Sequence, residues 1–502
     1  VPSVQRWLDF YGLVAEEVLC VANNMVSYHA FPRFVPYKEF LILDSFVLPH
    51  VVPSDNPTYI PSHMVGKGSP MKFNVPTYEL DLDYARQRVF SRFQAFVPVG
   101  FIADFDAVLS DMPMTTFPGF PHSTRFPSKE QMLLDPQARS ILMEEVTERK
   151  REFYYSTSFD KGELIKRTKE SARRIEGAEI GLLMRMSRVC KGFNKSIEVS
   201  GQGLPSYLGL DVHHNWWRYA GPASNCSHLL ALDVSSFDTC VPLSAYECVR
   251  SLRAAFSPDE VEELDVLYSN VLKKNVIDDH GYVWVCEHGT QTGQPNTAHD
   301  NTLCMWLLVE QFFSILSDDD YPDFAAYYGD DVVLGWDGCP SFSIPYMVHW
   351  FAEIGMNLKC ASEFLSHTEV DFLSHVSVKT SYGLVPRTIR ADKLWESMRW
   401  IENRSPLALN SLSRCVQLRN ELVLTDHFQD ATFLCNRLLF QLVHYSDMPV
   451  YQACARMMYT EDELLRLLTG EQYLNFCWVD SLITNEAQHD YCRQIEKWQE
   501  SR

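Results

Sequence analysis

The chain has 502 residues, 46% of them apolar and 22% charged, with a formal net charge of −21. That length needs more than one small domain, and the balance is that of a globular protein rather than a disordered or fibrous one. So large a negative charge argues against a protein that simply coats nucleic acid, because non-specific affinity comes from Lys and Arg neutralising phosphates, although an acidic enzyme can still thread RNA through a channel where positive charge is concentrated.

No run of about 18 uncharged apolar residues marks a membrane span. Fourteen cysteines lie singly, without a CxxC pair or a secretory signal, which predicts reduced thiols in a cytosol-like compartment. A start at Val1 rather than methionine fits release from a longer precursor as well as a trimmed chain.

In chain order, the first 145 residues are rich in Pro and aromatics, with loops at Val52 to Pro61 and Pro113 to Pro127, and read as irregular. From Arg149 to Arg174, nine Lys or Arg stand against four acids, a basic island whose ordinary reading is a solvated helix face. Between about 228 and 380, β-prone runs (His228 to Leu232, Tyr282 to Cys286, Val332 to Trp336) alternate with helical stretches (Thr297 to Leu316, Pro345 to Ile354). This predicts an α+β core around an antiparallel sheet. After about Asp392 the apolar spacing, through Leu407 to Leu424 and Glu461 to Leu468, is helical.

Chemistry concentrates in three runs. In LLALDVSSFDTCVP, residues 229 to 242, an apolar strand ends at Asp233, and Asp238 follows five residues later. A carboxylate ending a buried strand is costly unless it is paired or binds metal, yet alone it is more often a turn residue. In AAYYGDDVVLGW, residues 325 to 336, two β-prone segments flank Gly329, Asp330 and Asp331, so a hairpin carries adjacent carboxylates at its tip. Together these runs offer the all-oxygen donors of a two-metal phosphoryl-transfer site, and the absence of His and Cys from both tips excludes zinc. Between them, GTQTGQPNTAHDN, residues 289 to 301, is a glycine-bearing loop leading into a helix, with Thr297 and Asn301 on one face, able to read a ribose as well as to be an ordinary capped helix.

The order and content of these runs resemble the palm of viral RNA-dependent RNA polymerases. Asp233 and Asp238 match motif A; Thr292, Gly293, Thr297 and Asn301 are similar to motif B, with Thr292 where serine is usual; Gly329, Asp330 and Asp331 match motif C. YMVHWFAEIGMNLK, 346 to 359, looks like motif D, a helix followed by a lysine, here Lys359, and VDFLSH, 370 to 375, looks like motif E. Upstream, KGELIKRTKESARRIE, 161 to 176, is similar to motif F, with Arg173 at the family's arginine and Lys161, Lys166, Arg167 and Lys169 nearby; Ser171 stands where lysine is common. TTFPGFP, 115 to 121, resembles motif G, placing Thr115, Gly119, Phe120 and Pro121 beside a template. Different motifs look like those of picornaviruses, of potyviruses and astroviruses, and of partitiviruses and picobirnaviruses, which places the chain in the broad picornavirus-like group.

The resemblance implies a right hand: fingers at 1–195 and 240–285, palm at 196–239 and 286–385, and a mostly helical thumb at 386–502. It implies two Mg²⁺ ions, replaceable by Mn²⁺, on Asp233, the Val234 carbonyl, Asp330 and Asp331. Lys359 would act as general acid, motif F would bind the triphosphate, and Asp238 with Asn301 would select the ribose. A reverse transcriptase is the nearest rival, but that class typically sets an aromatic side chain at the position held by Asp238. An inactive polymerase-like scaffold is a second rival, opposed by the intact carboxylates. Implied partners are template and product RNA, ribonucleoside triphosphates, other viral replication proteins and a genome-linked protein primer, and the implied location is host cytoplasm or virion. His213 and His214 beside Trp216 and Trp217 are expected to be a packed aromatic segment, and Asp318, Asp319, Asp320 and Asp323 a solvated loop.

Overall fold

A computed structural model of the chain describes residues 4–22, 25–33, 40–42, 57–65, 79–94, 103–149, 151–199, 203–287, 289–402, 407–443 and 458–469. At its centre is a four-stranded antiparallel sheet in the order Phe324–Tyr328, Asp331–Trp336, His228–Val234, Leu358–Cys360. The near-continuous apolar run of the central strand follows from cover on both faces. Leu230, Leu232 and Val234 pack into the main core, and Leu229 and Ala231 pack on the other side, against the cluster of Trp216, Tyr219 and Phe372.

The Thr297–Phe313 helix lies in the main core and is buried nearly all round from Asp300 onward. It carries two buried charges: Asp300, met by the Arg253 guanidinium at 2.7 Å and the Tyr268 hydroxyl at 2.9 Å, and Glu310, met by the Arg88 guanidinium at 3.1 Å. Such charges tolerate burial because each faces an opposite charge, with the Tyr268 hydroxyl adding a hydrogen bond to Asp300.

A six-stranded sheet draws together distant segments in the order Glu16–Ala22, Met25–Ala30, Tyr282–Cys286, Lys274–Ile277, Tyr155–Asp160, Arg174–Ala178. Its last strand reaches the loop before the central helix through a bridge between Gly177 and Gly293. On the far side of the carboxylates, Asp371–Phe372, His375–Thr380 and Gly383–Thr388 form a three-stranded sheet that leads into the helix Ala391–Ser397. That helix is met by the Tyr59–Pro61 strand, whose Tyr59 amide donates to Glu396 at 2.6 Å; just beyond it, Trp400–Glu402 pairs with Phe40–Ile42. These contacts tie segments from the start of the chain to the region beyond the three-stranded sheet.

Described helices after this point are Leu407–Glu421, Phe428–Val443 and Glu461–Leu468, in keeping with the helical spacing. No described helix is long and apolar enough to cross a membrane, and no disulfide joins the described cysteines.

Three expectations are corrected. The first 145 residues are less irregular than their composition suggests, since they contain helices at Asp83–Phe93, Phe105–Asp111, Lys129–Leu134 and Pro136–Glu148; residues 52–56 of the first expected loop lie outside the described residues. The basic island is strand and loop rather than a helix face, and its Arg149, Arg151 and Arg174 are taken by ion pairs with Glu260, Glu179 and Asp279. Among the acids before the hairpin, Asp318 and Asp319 are exposed, but Asp320 is buried, accepting from the Ser341 amide and from the hydroxyls of Ser317 and Ser341. Of the expected packed aromatic segment, Trp216 is buried, its indole N–H donating to Ser377 Oγ at 3.1 Å, but Trp217 is exposed.

Candidate active site

The register of the sheet sets the site. Val332 pairs with Leu232 and Lys359 with Asp233, so continuing by one residue places Asp331 across from Asp233. Lys359, Asp233 and Asp331 thereby form one row across three strands, on the face away from the main core. Lys359 Nζ stands 4.0 Å from Asp233 Oδ2, both side chains being more than 60% exposed. Asp330 occupies the turn between Tyr328 and Asp331. The turn closes because Gly329 adopts φ 64°, which a side chain disfavours, and because its amide donates to Thr302 Oγ1 at 2.7 Å, tying the tip to the central helix.

The electrostatics fit an anionic cage. Burial raises the proton affinity of Asp330, and Asp238 and Asp233 add to it, with Arg173 offsetting in part. Asp331 is pushed up to about 6 by burial, then by Asp330 and Asp233. Repulsion of this kind is what a divalent cation relieves, and the donors are the hard oxygens that Mg²⁺ requires. Among the described residues, however, no group of three or more His, Cys, Asp or Glu side chains is disposed to hold a metal ion. The carboxylates repel across the row rather than converge on a point.

Asp238 and Asn301, expected to meet, do so: Asn301 Nδ2 donates to Asp238 Oδ1 at 3.2 Å, while Tyr246 donates to Asn301 Oδ1 at 3.2 Å and fixes the amide's orientation. Ser236, with φ 55°, turns the chain between Asp233 and Asp238. A small cavity beside Asp238 is lined by Ser158, Arg174, Glu176, Lys274, Thr290 and Thr292.

The Thr297 hydroxyl turns back to the carbonyls of Gln294 at 2.9 Å and Thr292 at 3.0 Å and braces the loop. Thr292 Oγ1 accepts from the Glu176 amide at 2.9 Å. At Gly293 a Cβ would lie 2.4 Å from the Glu176 carbonyl oxygen, so glycine is required for this close approach.

Arg173 is 59% exposed, 3.2 Å from Glu163, and its carbonyl accepts from the Lys161 amide at 2.7 Å. Lys161, Lys166, Arg167 and Lys169 are exposed along the same loop. Of the four expected template-side residues only Thr115 is exposed; Gly119, Phe120 and Pro121 are buried. Gly119, at φ 83°, allows the chain to pass Glu179, where a Cβ would come within 2.6 Å of its Cα. These three shape the loop rather than offer side chains. Val234 pairs with Leu358 and buries its side chain.

The family model described as "Viral RNA-dependent RNA polymerase" matches residues 74–445. The chain belongs to that family. As a member it is an RNA-directed RNA polymerase of viral type, and the mixed helix and sheet architecture is the family's right-hand fold. A solved Sicinivirus 3Dpol RNA-dependent RNA polymerase superposes with a TM-score of 0.66 at 16% identity, covering 91% of this chain and 100% of that one. A genome polyprotein of Sweet potato mild mottle virus (isolate Salazar) is 26% identical over 225 residues, 42% of this chain and 6% of the polyprotein. One of Brome streak virus (strain German) is 23% identical over 255 residues, 49% of this chain and 27% of the polyprotein. The chain thus spans only a small part of the polyproteins it matches.

Two cations near the carboxylates escaped the sequence reading. Arg390 and Lys393 lie beyond the last recognisable motif, yet Arg390 offsets the negative charge at Asp331, and Lys393 lies within range of Arg390, Arg173 and Lys169. Their only sequence signal was two cations three apart at a helix start.

Proposed function

We propose that this polymerase copies an RNA template by nucleotidyl transfer from ribonucleoside triphosphates, with two divalent ions at the carboxylate row. The observation that carries the reading is the register of Asp233 against Asp331, with Asp330 on the turn beside them. Asp233, Asp330 and Asp331, with the Val234 carbonyl, would hold Mg²⁺, or Mn²⁺ in its place. Such a pair, when bound, supplies the charge that stabilises attacking and leaving oxygens.

The chain's own groups then divide the work. Arg173 and the exposed cations of its loop draw in and orient the triphosphate. Asp238, held by Asn301, accepts from the ribose hydroxyl, while Tyr246 fixes the orientation of the Asn301 amide. Lys359 donates a proton to the departing pyrophosphate, its strand position setting it beside Asp233.

A cleft of about 430 Å³ between the loop at Gly293 and Pro295 and the Ile180–Val199 helix, lined by Met112, Pro113 and Lys129 and by the pairs Lys191–Asp111 and Lys195–Glu198, gives room for a template path on the Thr115 side. Fingers at 1–195 and 240–285, palm at 196–239 and 286–385 and thumb at 386–502 remain the proposed division; the sharing of one sheet by 16–30, 155–178 and 274–286 supports the two-part fingers. Polymerisation on an RNA template by purified protein and Asp330→Asn tests the reading. The variant should lose several orders of magnitude of activity with the fold retained, and near-normal incorporation by a folded variant would sink the assignment.

A further inference from the structure

Of two neighbouring lysines, Lys273 is exposed, whereas Lys274, at the start of the strand Lys274–Ile277, is buried. A buried ammonium is costly unless acceptors meet it. Here Nζ donates to Glu176 Oε2 at 2.6 Å and to the Thr290 carbonyl at 2.9 Å. Lys274 lies outside motifs A to G, and the proposed chemistry does not use it.

Each of its partners leads to a group that grips the nucleotide. Glu176 belongs to the strand Arg174–Ala178, which starts next to Arg173, and its amide donates to Thr292 Oγ1 at 2.9 Å. Thr290 is buried; its amide donates to the Asp238 carbonyl at 2.9 Å, and its hydroxyl accepts from Gln294 Nε2 at 2.9 Å. Thr290 is thus held between Lys274 and the backbone of Asp238. The loop that contains it runs on into the Thr297–Phe313 helix, which carries Asn301, the partner of Asp238. Lys274, Glu176, Thr290 and Thr292 also line the small cavity beside Asp238, which at about 10 Å³ has room for about one water molecule and none for a nucleotide. Lys274 therefore acts through its neighbours.

We infer that Lys274 is a positioning residue for sugar selection: by pinning Glu176 to Thr290 it fixes the backbone of Asp238, and with it the carboxylate that receives the ribose hydroxyl. This role rests on the proposed reading of Asp238 and Asn301 as the ribose-binding pair. With the tether cut, Asp238 shifts away from the hydroxyl, and a deoxyribose, which makes no such bond, is indifferent to the shift.

The test compares native protein with Lys274→Arg, Glu176→Gln and the double variant Lys274→Met/Glu176→Gln, which removes both charges so that neither is stranded in the core. Single-turnover incorporation of a ribonucleotide and of its 2′-deoxy counterpart on a primed RNA template gives a maximal rate and a half-saturating concentration for each. In the double variant the half-saturating concentration of the ribonucleotide should rise about tenfold, the loss of one hydrogen bond to a charged group, with that of the deoxynucleotide within about twofold of native. Lys274→Arg keeps the charge and should retain most of the preference. Glu176→Gln removes one charge and little volume; it should shift the ratio in the same direction by less, and it supplies the comparison if the double variant does not fold. A lysine that only holds the fold together would lower the amplitude of incorporation and leave both half-saturating concentrations as in native protein. That result, or an equal rise for both sugars, overturns the inference. Adding Asp238→Ala to the double variant checks the route: the two effects on the sugar ratio should not add, because both remove the same bond, and additive effects would overturn it. Asp238→Ala alone separates the two readings. An unchanged ratio there sinks the ribose-binding pair and the role of Lys274 with it, whereas a narrowed ratio there beside a native ratio in the Lys274 and Glu176 variants sinks the role of Lys274 alone.

Discussion

Removing the charge of Asp331 should stabilise the metal-free protein while weakening its hold on metal. Asp331 sits across from Asp233 and next to Asp330, and like charges directly opposite on paired strands destabilise a sheet. Its carboxyl is pushed from an ordinary value near 3.8 to about 6, first by burial and then by those neighbours. Two units correspond to about 3 kcal/mol, which partial exposure to solvent trims to about 1–2 kcal/mol. The folded value is above the unfolded one, so folding penalises the ionised form. The penalty is absent below about pH 4, grows as the pH rises from 4 to 6, and is complete above 6. In chelator, Asp331→Asn should therefore resist urea better than native protein at pH 7.5, by about 1–2 kcal/mol, with the difference gone near pH 4. With Mg²⁺ the gap should narrow or reverse, because a ligand that binds only the folded state stabilises the protein that binds it. Urea titrations at five pH values with EDTA, repeated with Mg²⁺, decide it. Equal stability of the two proteins from pH 5 to 8 in chelator would show that the carboxylates do not repel one another, and the electrostatic argument for a cation site would fail.

Asp238→Ala should narrow the preference for ribonucleotides over 2′-deoxynucleotides by about one to two orders of magnitude, the cost of an unmet buried group, as read by single-turnover incorporation of both sugars; equal loss on both would remove the pair from sugar selection. Gly293→Ala forces a Cβ against the Glu176 carbonyl and the Gly177 backbone, and should cost about 1–3 kcal/mol in urea titration. Asp300→Ala strands the Arg253 guanidinium in the core and should cost about 3–5 kcal/mol, much of it regained in Asp300→Leu/Arg253→Met. Lys359→Leu should slow catalysis and flatten the alkaline limb of the pH-rate profile; an unchanged limb would reduce Lys359 to a partner of Asp233.

Much of the sheet was legible because its strands are apolar runs that stop at carboxylates, a pattern carried within a few neighbouring residues. The strand expected to start at Val332 begins at Asp331, and the helix expected from Thr297 ends at Phe313 rather than Leu316. What could not be read depends on distant partners. Thr297 had a helix face that suited a ligand, but its hydroxyl is consumed by its own loop. Gly119, Phe120 and Pro121 match a motif, yet tertiary packing buries them. Ser236, Leu373 and Ser374 adopt positive φ without a glycine to announce it. Arg390 acquires its setting only when the chain returns to the sheet from outside every recognised motif.

The contact between Tyr59 and Glu396, and the pairing of Phe40–Ile42 with Trp400–Glu402, link the start of the chain to the region beyond residue 391, and closed over bound RNA they would make a ring rather than a cleft. A strand cannot be laid sideways into a ring. Nucleic acid would then have to be threaded by a free end, with internal stretches of a long or circular molecule inaccessible unless those contacts part. Once threaded, the strand is held by linkage as much as by affinity, so an acidic protein can stay on RNA at salt concentrations that would strip a surface-bound one, and dissociation would wait for the end of the template or the opening of a few hydrogen bonds.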